Sequence, residues 1–347
     1  MRFLRQLSGL CVVVALALLS AGCEKLQPGY YLTPANYPTL PPTLTPTSPP
    51  ETPVTPSPTP VSTTRALATP TLTPLPIPTF TATPSPAATA TLDSCSETEG
   101  QIVRASFISQ YTGQPFRYRV YLPPCYASTE RRYPYLIILH GLGEGMDDSQ
   151  WDRMGLDEAA DLGYVRGSLP PMIIIMPNGN DARYAYDPGP LPDVILNELI
   201  PEIEATFCTW NDPAMRAIGG LSRGGFWAFG IAFTHPDLFD RVGGHSPYFY
   251  DGDYTPINPY NLIETAEGIE RLAIYLDVGV NDTLVDDNLR AFVERLRRRG
   301  IEPEYVINPV GGHDEAYWAA HTADYLSFYA AEWPRDVSAF PSCHDPG

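Results

Sequence analysis

A serine between glycines, at the junction of an apolar run and a helical run, constrains this chain more than any other feature. Gly220, Ser222 and Gly224 follow the apolar run Ala214 to Ile218 and precede the helical-looking run Phe226 to Thr234. A G-x-S-x-G sequence between a strand and a helix is typical of a nucleophile elbow. Such a turn holds the serine in a strained conformation, and the strand and helix approach too closely for larger residues beside it. The sequence therefore predicts a sharp strand–serine–helix turn with the hydroxyl pointing away from the sheet.

Residues 1–22 have the features of a bacterial export signal. Arg2 and Arg5 supply positive charge, Leu10 to Leu19 is continuously apolar, and small residues precede Cys23. This order is typical of a signal peptide, and a cysteine directly after the small residues resembles the lipoprotein type. The resemblance implies that Cys23 is lipidated and becomes the mature N-terminus. A plain secretory signal and an uncleaved membrane helix stay open as alternatives.

Residues 23–93 are dominated by proline and threonine, with almost no charge and no periodic apolar face. Such a stretch cannot bury enough apolar surface to offset its chain entropy, so we expect a disordered stalk. At about 3.1 Å per residue in polyproline form, it could hold a domain on the order of 200 Å from its anchor. The remaining residues, 94–347, suit one domain with a sizeable core.

Charge and cysteine content limit the expected partners and cofactors. The formal net charge is −18, and an acidic surface repels phosphate backbones, so nucleic acid is not an expected partner. Cys95, Cys125, Cys208 and Cys343 lie in the C-terminal region, where four cysteines of an exported domain suggest two disulfides. The sequence does not choose among the three possible pairings. No Cys-x-x-Cys motif or His/Cys cluster indicates a metal site, and we expect no cofactor.

Strand-like and helix-like patterns alternate along the C-terminal region. Polar–apolar alternation predicts an antiparallel strand pair at Gln101 to Gln110 and Phe116 to Leu122. Near-continuous apolar runs predict strands that are buried on both faces, at Tyr135 to Leu139, Met172 to Met176, Met215 to Ile218 and Leu272 to Leu276. Helical patterns occur at Asp157 to Leu162, Pro192 to Phe207, Asp286 to Arg299 and Glu315 to Trp333. We therefore predict an α/β fold with a mostly parallel central sheet, an antiparallel N-terminal pair and helices on both faces.

Three chemically useful side chains follow predicted strands. Ser222, Asp282 and His313 each come after an apolar run, in that order along the chain. Parallel sheets collect functional groups at the carboxyl ends of their strands. The order Ser, Asp, His is also the order of α/β-hydrolase triads.

Several motifs together resemble the esterase D ("putative esterase") family of the α/β-hydrolase superfamily, over residues from about 100 to 333. These motifs are Leu139 to Gly143, Glu198 to Glu204, Gly219 to Gly225, His235 to Phe239 and Gly311 to Asp314. The family includes feruloyl and other carbohydrate esterases, enterochelin-esterase-like proteins and mycolyltransferases. The resemblance implies an α/β-hydrolase fold and acyl chemistry on a serine.

Each residue of the expected site has a chemical role. Ser222 is expected to be the nucleophile, His313 the base that activates it, and Asp282 the acid that orients the imidazole. The backbone N–H groups of Arg223 and Leu142 are expected to form the oxyanion hole.

Other polar residues near the predicted strand ends have structural explanations. Asp277 is the alternative to Asp282 as the acid that orients the imidazole, because both follow the same apolar run. Asp277 could instead be a buried structural acid, and the family pattern favours Asp282. His140 is expected to shape its loop. His245 could line the site, although structural hydrogen bonding is the preferred interpretation.

Aromatic residues near the predicted site loops are candidates for substrate binding. They are Trp151, Tyr184, Tyr186 and Trp318. Their faces would suit a sugar or a phenolic acyl group. Packing in the core or under a lid is the alternative for each of them.

The sequence thus predicts a surface-tethered serine esterase that hydrolyses carboxylic esters through an acyl-enzyme. The export signal, the stalk and the resemblance favour feruloyl-type or acetyl-type esters on a polysaccharide. The lipid anchor would be the membrane contact of an enzyme on the bacterial surface, with secretion as the alternative. An acyltransferase that uses the same triad and a binding module without catalysis stay open as other functions.

Overall fold

The computed structural model describes residues 95–182, 188–252 and 255–344. All of these belong to the unit Ala82–Gly347 of the chain. The predicted signal and stalk lie outside the described residues, and so do Cys23, Tyr184 and Tyr186. Within the described ranges, no helix has both the length and the apolar character needed to cross a bilayer.

A mostly parallel sheet forms the centre of the domain. The eight strands found among the described residues are β1 Gln101–Ile108, β2 Pro115–Leu122, β3 Tyr135–Leu139, β4 Ile173–Pro177, β5 Arg216–Leu221, β6 Arg241–His245, β7 Ala273–Gly279 and β8 Glu304–Asn308. Their order in the sheet is β1-β2-β4-β3-β5-β6-β7-β8. The pairs β1–β2 and β2–β4 are antiparallel, and the remaining pairs are parallel. The predicted fold class, including the antiparallel N-terminal pair, is confirmed.

Burial explains why the central strands have continuous apolar sequences. Every residue of β3 and β4 is buried, because both faces of the sheet are covered there. Strand β1 lies at the sheet edge instead, and its residues alternate between more and less exposed positions. The change from alternating to continuous apolar sequence therefore marks the step from the edge of the sheet to its centre.

Helices cover both faces of the sheet. They are α1 Tyr126–Thr129, α2 Gln150–Arg153, α3 Leu156–Val165, α4 Leu191–Val194, α5 Ile200–Thr206, α6 Arg223–Thr234, α7 Pro259–Thr265, α8 Asp286–Arg298, α9 Glu315–Ala320 and α10 Thr322–Tyr329. Residues of α6 and α8 pack into the core on one face, and residues of α3 and α10 pack into the core on the other.

The helices differ from their predicted bounds in two places. The single helix predicted over Glu315 to Trp333 is divided at His321, where the backbone leaves the helical region with φ −114° and ψ 7°. The helix predicted over Pro192 to Phe207 contains a π-helical stretch, Ile195–Leu199, between α4 and α5. The spacing of apolar residues does not reveal the division or the π-helical stretch, because the helical segments before and after each of them keep a buried face.

Two disulfides select one of the three pairings that the sequence left open. Cys95 bonds to Cys125 across 30 residues, and Cys208 bonds to Cys343 across 135 residues. Closing such loops restricts the unfolded chain and stabilises the fold by roughly 3–5 kcal/mol per bond in the chain-entropy description. The first bond ties the segment before β1 to the segment after β2, and the second ties the C-terminal segment to the region between α5 and β5.

Gly219 in β5 allows α10 to pack closely against the sheet. A Cβ atom at this position would lie 1.7 Å from the hydroxyl of Tyr329, which is itself held by a 2.9 Å hydrogen bond to His245 Nε2. Because the ring cannot move without breaking buried contacts, we expect Gly219→Ala to lower the free energy of unfolding by about 3 kcal/mol or more. Urea denaturation measures the change. Gly312→Ala is the control, since a Cβ atom there meets nothing closer than 3.4 Å, and equal unfolding midpoints for the two variants would contradict this reading of the packing.

Candidate active site

The turn between β5 and α6 has the geometry of a nucleophile elbow. Ser222 has φ 52° and ψ −120°, a conformation that L-residues rarely adopt. A Cβ atom on Gly220 would lie 2.5 Å from the backbone of Gly224, and one on Gly224 would lie 2.4 Å from the carbonyl oxygens of Leu139 and His140. The close approach expected from the sequence is therefore present on both sides of the serine.

Backbone hydrogen bonds hold the elbow in place from the neighbouring strand. The N–H of Ser222 donates to the carbonyl of His245 at 3.0 Å, and the N–H of Tyr248 donates to the carbonyl of Ser222 at 2.9 Å. Because His245 ends β6 and Tyr248 follows it, the strained serine is supported by the segment that leaves β6. Such support is what allows an unfavourable conformation to persist.

A continuous chain of hydrogen bonds joins Ser222, His313 and Asp282. The Nε2 atom of His313 lies 2.8 Å from Ser222 Oγ, and its Nδ1 atom lies 2.8 Å from Asp282 Oδ2. The carboxylate can only accept, so Nδ1 carries the proton and Nε2 is left to accept from the serine hydroxyl. The side chain of His313 is 19% exposed and that of Asp282 is fully buried, so the chain of bonds runs from the surface of the pocket into the interior.

The surroundings of Asp282 favour its ionised form. Burial raises the pKa of this carboxyl, but the hydrogen bond and charge of His313 lower it, with a smaller contribution from the N–H of Leu284. The N–H of Leu284 donates to Asp282 Oδ1 at 3.2 Å. The net result is a pKa below the ordinary value, so Asp282 is a carboxylate at neutral pH and can stabilise a protonated imidazole.

Contacts on both sides of His313 fix its loop. The carbonyl of Gly311 accepts from the N–H of Asn281 at 3.0 Å, which joins this loop to the loop that carries Asp282. Asp314 caps α9 by accepting from the N–H of Tyr317 at 2.9 Å. The ring of Trp318 packs edge-to-face on the imidazole, with ring centroids 5.1 Å apart. The histidine is thus positioned by its loop and by the first turns of the helix that follows.

A pocket of about 400 Å³ opens above the serine and the histidine. Its lining residues are Leu142, Met146, Ser222, Arg223, Tyr248, Leu284, His313 and Trp318. Leu142 and Leu284 are 42% and 53% exposed, so the mouth of the pocket is apolar. Sequence reasoning missed Met146, Tyr248 and Leu284 as lining residues, although each lies shortly after the end of a strand, which was the available signal.

The two residues predicted to form the oxyanion hole both line this pocket. Leu142 and Arg223 line the same pocket as Ser222. The guanidinium of Arg223 lies over the ring of Phe226 at 3.7 Å from its centroid, so the side chain runs along α6. Their role in catalysis stays a prediction.

The aromatic candidates for substrate binding divide into different environments. Trp151 is 1% exposed and its indole N–H donates to the carbonyl of Leu139 at 3.0 Å, which favours the alternative of core packing over a substrate contact. The reason is that α2 places this ring in the core beneath the sheet end, against His245. Trp318 is also 1% exposed, yet it borders the pocket through its contact with His313. Tyr184 and Tyr186 lie outside the described residues.

The other polar residues weighed from the sequence lie in structural positions. His140 Nε2 accepts from the N–H of Gly179 at 2.9 Å, which joins the loops after β3 and β4. Asp277 bonds to His245 at 3.0 Å. The interpretation of Asp277 as a buried acid, with Asp282 at the site histidine, agrees with these contacts.

The described residues offer little to a metal ion. Donor atoms of Cys95, Glu97 and Cys125 come together within ligand distance of one another. The two sulfurs are joined as a disulfide, however, so only the carboxylate of Glu97 stays available.

Comparison with known proteins places the site in context. A family described as "Putative esterase" matches residues 109–332. The endo-1,4-beta-xylanase/feruloyl esterase of Xylanibacter ruminicola is 28% identical over 230 residues, which cover 63% of this chain and 30% of that protein. An esterase of Mycobacterium tuberculosis is 32% identical over 242 residues, which cover 56% of this chain and 51% of that protein. The chain therefore spans about a third to a half of the length of these relatives.

A solved structure shares the fold. A ferulic acid esterase superposes with a TM-score of 0.61 and 24% identity, and the match covers 67% of this chain and 99% of the other. At this level of identity the likeness concerns the architecture of the sheet and its helices.

Proposed function

The chain belongs to the "Putative esterase" family, and from that premise we propose that it is a serine hydrolase that cleaves carboxylic esters through an acyl-enzyme on Ser222. The observation that carries the proposal is the chain of two 2.8 Å contacts from Ser222 through His313 to Asp282. A serine hydroxyl is a weak nucleophile at neutral pH and becomes effective when an adjacent base takes its proton. His313 is positioned as that base, and the buried carboxylate of Asp282 holds the imidazole in the required tautomer.

The reaction proceeds in two acyl transfers. Ser222 Oγ attacks the ester carbonyl while His313 Nε2 takes the hydroxyl proton, and the resulting oxyanion accepts hydrogen bonds from the N–H groups of Arg223 and Leu142. His313 then donates its proton to the leaving alkoxy oxygen as the carbon–oxygen bond breaks. A water molecule repeats the sequence on the acyl-enzyme, which releases the acid and restores the serine.

The proposed substrates are carbohydrate-linked esters of the feruloyl or acetyl type. The apolar mouth formed by Leu142 and Leu284 supports a hydrophobic acyl group, since burying it there removes apolar surface from water. The relative from Xylanibacter ruminicola and the similar solved structure both carry feruloyl or ferulic acid esterase in their names.

The proposed location is the outside of a bacterial cell. Two disulfides support an oxidising compartment. A lipid on Cys23 and the Pro/Thr-rich residues 23–93 would tether the enzyme and extend it from the membrane toward a polysaccharide. Release as a secreted protein is the alternative to tethering.

Trapping the acyl-enzyme tests the proposed function. We expect intact-mass measurement on protein mixed with a panel of feruloyl, acetyl and short-chain sugar esters to show an added acyl group, which peptide mapping locates on Ser222. The same panel applied to Ser222→Ala should give no adduct. Hydrolysis of these esters by the alanine variant at the wild-type rate would contradict the proposal, and the wild-type kcat/KM across the panel identifies the preferred acyl group.

A further inference from the structure

A second histidine–aspartate pair lies buried beneath the proposed triad. His245 and Asp277 are both fully buried, and His245 Nδ1 lies 3.0 Å from Asp277 Oδ1. The other ring nitrogen, Nε2, lies 2.9 Å from the hydroxyl of Tyr329. The imidazole also stacks on the ring of Tyr325, with centroids 3.6 Å apart. None of these residues lines the pocket above Ser222, so the proposed reaction does not use them directly.

The carboxylate of Asp277 collects hydrogen bonds from three parts of the chain. Its Oδ1 accepts from His245 at the end of β6, and its Oδ2 accepts from the hydroxyl of Tyr317 in α9 and, at 3.1 Å, from that of Tyr325 in α10. Burial lowers the pKa of His245, although Asp277 raises it, so the imidazole is neutral at neutral pH. Three donors therefore converge on the single carboxyl group of Asp277.

Two of the donors also touch the segments that carry the triad. The carbonyl of His245 accepts a hydrogen bond from the N–H of Ser222, so the position of His245 affects the position of the Ser222 backbone. The ring of Tyr317 packs against Gly311 so closely that a Cβ atom there would lie 2.2 Å from it, and its N–H is bonded to Asp314. Gly311 and Asp314 flank the loop of His313. Asp277 itself lies on β7, the strand that leads to Asp282.

We propose that Asp277 is a positioning residue of the triad, which holds His313 at bonding distance from Ser222 by fixing Tyr317 on one side and His245 on the other. The proposal rests on the proposed function. A carboxylate is a costly group to bury, and an apolar core at the same place would often be at least as stable. Three donors directed at this carboxylate hold it and their own side chains in a fixed geometry. Fixed geometry matters for the reaction, because displacing a reacting group by about 1 Å can lower the reaction rate by about 10²-fold.

The two tyrosines on Asp277 Oδ2 form a matched pair for the test. Tyr317→Phe and Tyr325→Phe each remove one buried hydroxyl from the same carboxylate oxygen, but only Tyr317 contacts the loop of His313. The Tyr317 hydroxyl also accepts from Asn308 Nδ2 at 2.8 Å, so Tyr317→Phe loses two hydrogen bonds and should show the larger decrease in melting temperature. We expect Tyr317→Phe to lower kcat about tenfold with KM nearly unchanged, and Tyr325→Phe to keep kcat within about twofold.

A spectroscopic measurement separates this proposal from the proposed function. The proton on His313 Nδ1, hydrogen-bonded to Asp282, is observable at low field by NMR and is assigned by its loss in His313→Ala. We expect it to shift or broaden in Tyr317→Phe and to stay in place in Tyr325→Phe. Equal effects of the two variants on kcat and on this resonance would overturn the positioning role. The wild-type protein could hydrolyse no ester while the resonance still shifts in Tyr317→Phe and stays in place in Tyr325→Phe. That result would overturn the proposed function and leave the positioning role supported.

Discussion

Replacing Ser222 by alanine is expected to lower kcat for ester hydrolysis by about 10⁴-fold or more, because it removes the hydroxyl that lies 2.8 Å from His313 Nε2. Hydrolysis above the rate in water should persist at a low level, since the proposed oxyanion donors and the pocket are untouched. Initial rates with a chromogenic acyl ester measure the loss. A variant that retains more than a tenth of the wild-type kcat would remove Ser222 from the mechanism.

Ser222→Gly is the control that separates the loss of chemistry from a loss of fold. It lacks the same hydroxyl, so it should be as inactive as the alanine variant. Glycine adopts φ 52° without strain, whereas alanine does not, so the glycine variant should be more stable by about 1 kcal/mol. Equal inactivity with a higher melting temperature for Ser222→Gly would show that the backbone at this position is strained for an L-residue and that the lost activity is not due to a loss of fold.

Replacing Asp282 by asparagine is expected to lower kcat by about 10³- to 10⁴-fold at neutral pH. The amide has nearly the same shape, but it has no charge to stabilise the protonated form of His313. Its NH₂ group can also donate to Nδ1, which would move the ring proton to Nε2 and leave no acceptor for the hydroxyl of Ser222. The kcat for ester hydrolysis should be measured from neutral to alkaline pH. We expect the large loss at neutral pH and a partial recovery at alkaline pH, where hydroxide takes the place of His313 as the base.

Asp287→Asn is the matched control for the loss of one acidic charge. Asp287 is exposed in the first turn of α8, a short distance along the chain from Asp282. Its replacement should leave kcat within about twofold, because an exposed charge outside the site is screened by solvent. A similar loss in both variants would mean that the overall negative charge, and not the contact with His313, supports the reaction.

The sequence predicted the sheet and the elbow because both depend on local chemistry. Strands that are buried on both faces require continuous apolar sequence, which is visible in Tyr135 to Leu139 without any structure. The spacing of Gly220 and Gly224 around Ser222 follows from a steric requirement that leaves few alternatives. The convergence of Ser222, Asp282 and His313 then follows from strand order, since the carboxyl ends of parallel strands share one edge of the sheet.

The remaining features depend on contacts between distant segments. Trp151 was expected near the substrate because its place along the chain is close to a site loop, but its orientation is decided by packing against β3 and α10. The disulfide pairing depends on which loops meet in space. The cluster around Asp277 could not be foreseen for the same reason, because its donors come from β6, α9 and α10.

The bond between Cys95 and Cys125 has a mechanical consequence for any tether on the N-terminal side. Strand β1 is an edge strand, and its first residue, Gln101, pairs with Leu122 at the end of β2. Without this bond, tension applied ahead of Cys95 would load the hydrogen-bonded pairs between β1 and β2 one after another, starting at Gln101. The disulfide transmits that load past β1 to the chain beyond β2, so this edge strand is relieved of it.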